Sequence, residues 1–303
     1  MAILVSGSLA FDRIMNFNGK FSDHIIPEKL NDINVSFTVD NLTENFGGTA
    51  GNIAFALHCL GETPMVLATL GYDHYRYTER LNELGINSDF VKIIADDATS
   101  SGFVTTDSDS NQITAFNLGA MKYQCGFNEK SIELPGSIAI IAPGNIEDMK
   151  QLSQIYQESS VYSIFDPSQS LPIWNKTDLA NSINQSDVTI SNEYELSLIL
   201  NILEINQRDL INLTGTLITT LGEKGSEFFT GTDHKIIPPI KIEKEIDPTG
   251  AGDAYRGGLI KGLIEGWELE KCCALGSAVA SVVVASRGTQ NYFVNFDEII
   301  QNL

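Results

Sequence analysis

Short, nearly continuous apolar runs punctuate the chain. They are AILVSGSLA at the start, MVLATLG near residue 65, SIAIIAPG near 137, VYSIFDP near 161, DVTIS near 187 and TLITTLG near 216. Each is β-rich, and amphipathic stretches of helical period lie between them. Apolar runs of this length read as strands covered on both faces, and their alternation with helices predicts βαβ units in an α/β fold with a mostly parallel sheet. In such folds ligands gather at the carboxyl ends of the strands. Two segments depart from the pattern: residues 13–45, polar with scattered aromatics, and residues 89–118, where FVKIIADD, SGFVTTDSDSNQ and ITAFNLG read as short alternating strands. Together they predict a small antiparallel sheet, placed as a lid over the site of one domain spanning 1–303. No internal repeat or low-complexity linker interrupts the chain.

The 303 residues include 43% apolar and 19% charged residues, enough for a sizeable core, and the net charge is −20. That charge argues against partners that reward a basic patch, namely nucleic acid and anionic membrane surfaces. No apolar run reaches 18 residues, and MAILVSGSLAFDR lacks the basic start of a signal peptide, so a cytoplasmic protein is expected, as monomer or homodimer. Cys59, Cys125, Cys272 and Cys273 form no CxxC pair, and the four histidines are scattered, which leaves zinc and histidine-triad chemistry without support.

The sharpest motif is EIDPTGAGDAYRGGLIKG, residues 245–262. Apolar positions at Ala254, Leu259, Ile260, Leu263 and Ile264 predict a helix that begins inside the glycine turn. Uncovered amides at Gly250, Ala251 and Gly252, together with the positive end of the helix dipole, make an anion hole. One reading is purely structural, with Thr249 capping the helix and Asp253 meeting the dipole. The other is chemical. A carboxylate is badly placed to bind an anion itself but well placed to take a proton from a hydroxyl attacking that anion. A P-loop GxxxxGK[ST] is absent, and no GxGxxG follows the first strand. GGTAGN at 47–52 follows a polar segment and is expected to let backbone approach a ligand.

DPTGAGDAYRGG, with GGTAGN near residue 50 and TLGEKG at 220, in family order and spread over nearly the whole chain, together resemble the ribokinase (pfkB-type) family of sugar and nucleoside kinases. The resemblance implies a three-layer α/β/α fold with a small β-sheet lid, and transfer of the γ-phosphate of ATP to a primary hydroxyl. It makes Asp253 the general base and Gly250, Ala251 and Gly252 the anion hole. By the same resemblance, Thr220, Gly222 and Gly225 border ATP, while Asn192 and Glu195 form an NxxE motif that orients water around Mg²⁺. Asn192 and Glu195 also fit a helix capping box. Near Arg287 and Gly288 the family closes its adenine pocket and can hold a monovalent cation such as K⁺; the alanines and valines before them are explained by core packing.

For the acceptor, the resemblance makes Asp12, after the first strand in GSLAFD, the reader of a ribose-like diol, with Gly48 and Asn52 beside it. Three features lean toward nucleosides: no lysine in GGTAGN, an arginine in DAYRGG, and the stretch NQITAF followed by GAM. With DPSQSLPIW at 166, these are similar to prokaryotic adenosine-type nucleoside kinases within the family. Phe116 can stack on a base and Gln112 can read its edge, although Phe116 fits equally well as core of the small sheet. A kinase for the 5′-hydroxyl of adenosine or another purine nucleoside is expected, with a sugar kinase and a non-catalytic nucleoside-binding sensor as alternatives.

Overall fold

The computed structural model describes residues 1–25, 31–32, 34–231, 233–242 and 244–303. Residues 26–30 and 33 of the first predicted insertion lie outside the described residues. In chain order the strands are β1 (Ile3–Ser6), β2 (Ala10–Asn16), β3 (Asn41–Gly47), β4 (Met65–Leu70), β5 (Asn87–Ile93), β6 (Ser100–Thr106), β7 (Gln112–Asn117), β8 (Ile138–Ile141), β9 (Tyr162–Phe165), β10 (Val188–Asn192), β11 (Thr216–Thr220), β12 (Ser226–Thr230) and β13 (Asp233–Ile237). The α-helices are α1 (Thr49–Cys59), α2 (Tyr75–Glu83), α3 (Ile146–Glu158), α4 (Lys176–Asn184), α5 (Glu193–Leu203), α6 (Gln207–Thr214), α7 (Ala251–Ile264), α8 (Leu269–Val284) and α9 (Phe296–Asn302).

Among the described residues the main sheet has nine strands in the order β13-β12-β11-β10-β9-β8-β1-β4-β5. From β11 to β5 every pairing is parallel, and β12 and β13 close one edge antiparallel. All six apolar runs of the sequence become strands of this sheet. Alternate residues of a strand serve opposite faces. In β8, Ile138 and Ile140 join the core beneath α1, α2, α7 and α8, whereas Ala139 and Ile141 join the core beneath α3, α4, α5 and α6. The predicted three-layer α/β/α ribokinase-like fold is therefore present. Several helix starts are dictated locally: Asn145, Asn175, Asn192 and Asn206 each accept a backbone N–H in the first turn of α3, α4, α5 and α6. Asn175, which matches a glycosylation sequon in the sequence, is thus a helix cap.

A second, four-stranded sheet has the order β3-β2-β6-β7. It corrects the expected insertions in two ways. FVKI of the second insertion belongs to β5, on the edge of the main sheet. The central pair β2–β6 is parallel, flanked by antiparallel β3 and β7, so the small sheet is mixed. The cause is topological: β2 and β6 both continue outward from parallel main-sheet strands, β1 and β5, and so run the same way.

Helices α7 and α8 cross at very short range because glycines face each other. A Cβ added at Gly258 would lie 2.8 Å from both the Gly276 Cα and the Leu275 carbonyl oxygen. In an exposed helix, replacing glycine with alanine gains roughly 1 kcal/mol. Gly258→Ala is expected to reverse that sign and destabilise by about 1–3 kcal/mol through overpacking, read as a lowered urea midpoint.

Candidate active site

The carboxyl ends of β9, β10 and β11 deliver Asp166, Asn192 and Thr220 side by side, with Asn192 in register with Thr220. Beyond them lies a cleft of about 280 Å³, lined on one side by Thr220, Gly222 and Gly225 and on the other by Ala251 and Gly252. Ser277, Ala280, Ser281 and Val284 of α8 form its wall. That wall corrects the expectation that packing alone accounts for this stretch, because one face of α8 is turned to the cleft. Gly225 is also accounted for by the fold: a Cβ there would meet the Ile237–Pro239 backbone.

At the head of α7 the cap residue is Gly250, in the left-handed region at φ 80°, and no side chain caps the helix. Thr249 is therefore not the cap; instead its N–H donates to Asp247 Oδ1 at 3.0 Å. Ala251 N–H turns back to the Pro248 carbonyl at 3.2 Å, while Gly252 and Asp253 occupy the next two positions, whose amides have no acceptor one turn back within the helix. The approach to the turn is pinned to the end of α8 by Ile246 and Asp247 N–H groups donating to the Val284 carbonyl.

Asp253 follows Gly252, which lines the cleft, and is half-buried. That desolvation raises its pKa to about 7, with smaller upward contributions from Asp166 and Asp12 and opposing ones from Arg256 and Asn52. Asn52 Nδ2 donates to Asp253 Oδ2 at 2.8 Å. Below the turn, the buried Arg256 forks onto Asp166: Nε donates to Oδ2, Nη2 to Oδ1 at 2.7 Å, and Nη1 to the Gly252 carbonyl at 2.9 Å. The guanidinium thus ties the first turn of α7 to the end of β9.

Asp12 does not sit in a loop after the first strand. It is the third residue of β2, in the small sheet, and heads a cross-strand row Asn45–Asp12–Gly102–Phe116 on one face. Burial and the Asp247 charge raise its pKa to about 6. Bare Gly47 and Gly102 leave room for its carboxylate, and the Phe116 ring lies just beyond Gly102. Phe116 is 53% exposed, which excludes the core reading. Gln112 is four residues away along β7, roughly 13 Å at strand rise, and its amide lies 3.3 Å from Thr106 Oγ1.

GGTAGN packs closely against the chain itself. Gly48, at φ 87°, stands against the backbone of Ser8 to Ala10. The Asn52 carbonyl end is occupied by Gln290 at 3.1 Å, and its NH₂ end by Asp253. For Asn192 and Glu195 the capping box is realised in full: Asn192 Oδ1 accepts Glu195 N–H and Glu195 Oε2 accepts Asn192 N–H, each at 2.8 Å. Glu195 Oε1 accepts Ser168 Oγ–H at 2.8 Å. Sequence reasoning left Arg256 and Asp166 unassigned and missed Tyr77 and Gln290, because only folding brings these distant positions together.

The raised carboxyls have a measurable cost. A group whose folded pKa exceeds its unfolded value binds protons more tightly when folded, so its stabilising contribution is complete below the unfolded pKa and is lost as pH rises through the folded one. For Asp12 and Asp253 that window runs from about 4 up to about 6 and 7. The melting temperature of the ligand-free protein is expected to fall between pH 5 and pH 8, and Asp253→Asn to flatten the fall and raise Tm at pH 8 in scanning calorimetry.

Residues 15–295 match the model of the pfkB family carbohydrate kinases. A nucleoside kinase from Methanocaldococcus jannaschii is 35% identical over 280 residues, covering 91% of either chain. One from Methanothermobacter thermautotrophicus is 28% identical over 305 residues, covering 99% of this chain and 94% of that one. Among solved structures, a Burkholderia thailandensis nucleoside kinase in complex with inosine has a TM-score of 0.87 at 35% identity, covering 99% of this chain and 96% of that one. The chain is therefore a phosphotransferase acting on a hydroxyl acceptor, a nucleoside or sugar kinase that draws on ATP, and it belongs to the pfkB family of carbohydrate kinases.

Proposed function

We propose that this protein transfers the γ-phosphate of ATP to the 5′-hydroxyl of a purine nucleoside. The observation that carries the reading is the placing of Asp253, which stands at the head of α7 with the Thr220–Gly252 cleft on one side and the small-sheet face bearing Asp12 and Phe116 on the other. Substrates entering from those two sides would meet at Asp253. The inosine complex of the Burkholderia relative and the nucleoside kinases among the archaeal relatives favour a nucleoside over a simple sugar. Phe116, exposed beside Asp12, supplies an apolar ring for a base, and the Asp12 carboxylate can accept two hydrogen bonds from a ribose diol.

In this reading ATP lies in the cleft, with its terminal phosphate at the amides of Gly250 and Gly252 and the positive end of α7. Asp253 takes the proton of the 5′-hydroxyl as its oxygen bonds to phosphorus and the bond to ADP breaks. A base with pKa about 7 is matched to neutral pH, since it is substantially ionised yet still accepts a proton readily. The Arg256–Asp166 pair keeps the turn rigid while the charge moves. Lone pairs left on Asn192 and Glu195 suit the waters of a magnesium ion carried by the phosphates, which would neutralise their charge.

ADP formation measured over a panel of nucleosides and sugars tests the proposal, with purine nucleosides expected to give the highest kcat/KM. Activity confined to sugars would overturn the acceptor assignment. Asp253→Asn is expected to lower kcat by about 10²- to 10⁴-fold with little change in nucleoside binding by calorimetry. An unchanged kcat would remove Asp253 as the base.

A further inference from the structure

Gln290, in the loop after α8, is 7% exposed and held at both ends. Its carbonyl accepts from Arg80 Nη2 at 3.0 Å, and the neighbouring Thr289 hydroxyl donates to the Phe46 carbonyl at 2.9 Å. Its side-chain Nε2 donates to Asn52 Oδ1 at 3.1 Å and to the Tyr77 hydroxyl at 3.0 Å. Tyr77 in turn donates to the carbonyl of Gly47, the last residue of β3, at 2.7 Å. The polarity of this chain follows from its far end. A backbone carbonyl can only accept, so Tyr77 spends its proton on Gly47 and must accept from Gln290. Gln290 therefore turns its NH₂ inward, Asn52 must meet it with oxygen, and the Asn52 NH₂ is left facing Asp253.

We infer that Gln290 is a positioning residue that fixes which end of the Asn52 amide meets Asp253 and couples that base to the root of the small sheet at Gly47. The functional part of this inference rests on the reading of Asp253 as the base. The groups facing Asp253 are Arg256 on its own helix, Asn52 from α1, Asp12 from β2 and Asp166 after β9, with the phenols of Tyr77 from α2 and Tyr292 after Gln290 close enough to feel its charge. Among the uncharged neighbours, Asn52 is the one whose hydrogen bond favours the carboxylate form. A free Asn52 amide can present its oxygen instead, which favours the protonated form.

Carboxyl titration of Asp253 by ¹³C NMR, in ligand-free protein and assigned through Asp253→Asn, tests the inference. Gln290→Met keeps the volume and removes the donor, and is expected to move the Asp253 titration up by about one pH unit, the weight of a hydrogen bond to a charged group. Asn52→Ala should move it at least as far, and the double variant no further. Tyr77→Phe keeps the ring and removes the acceptor that orients Gln290, so it should give a smaller upward shift. An unmoved titration in Gln290→Met and Tyr77→Phe, or additive shifts in the double variant, would overturn the role. The titration needs no turnover, so it decides the positioning even if the acceptor panel finds no nucleoside activity. Where turnover is found, the acid limb of kcat/KM should rise with the titration; a uniform loss of rate with an unmoved limb would count against Gln290.

Discussion

The Arg256–Asp166 ion pair makes the rest of the site possible. Asp12, Asp166 and Asp253 converge on one region of a chain whose net charge is already −20, and burial with nearby negative charge pushes all three carboxyls toward protonation. A buried guanidinium that takes both oxygens of Asp166 and the Gly252 carbonyl answers that charge and holds the first turn of α7 in the same act. Arginine suits this task where lysine would not, because its planar fork satisfies a carboxylate bidentately and still has an N–H for the backbone. The compensation is partial. Asp253 keeps a pKa of about 7, a state that lowers stability at neutral pH and suits proton transfer.

Around that pair, two surfaces of different character meet. The cleft on the α8 side is built by the parallel sheet, whose carboxyl ends gather Asp166, Asn192 and Thr220 within adjacent strands. The small sheet contributes Asp12 from β2 and Phe116 from β7. Loop 288–290 joins the two. Gly288 donates to Asp247, Thr289 stands against Gly250 and donates to Phe46, and Gln290 reaches both Asn52 and Tyr77. A short segment with no motif of its own thus touches the glycine turn, the Asn52 that donates to Asp253, and the aromatic layer at the root of the small sheet.

Much of this was legible along the chain. The six apolar runs locate strands of the main sheet, because a strand buried on both faces must be apolar throughout. The glycine turn, its aspartate and the NxxE cap are local in sequence and so could be read locally. The small sheet was harder. FVKI alternates like an exposed strand because β5 lies on the sheet edge, and the direction of β2 against β6 depends on which main-sheet strands they continue. That Asp12 lies within a strand was not legible, since nothing nearby in sequence announces that β1 and β2 are separate strands in separate sheets.

The sequence by itself determined the layers of the fold, the helix start at Gly250 and the family to which the chain belongs, since each rests on periodicity or on residues that are neighbours along the chain. Tertiary structure alone decided the partners: Arg256 with Asp166, 90 residues apart, and Asn52 with Asp253, 201 residues apart. It also decided that Phe116 stands open beside Asp12, and that Gln290 donates to the Asn52 amide that in turn donates to Asp253. The physical reason is that a side chain's charge, hydrogen-bond polarity and pKa are set by what surrounds it in space, and periodicity carries only which face it lies on.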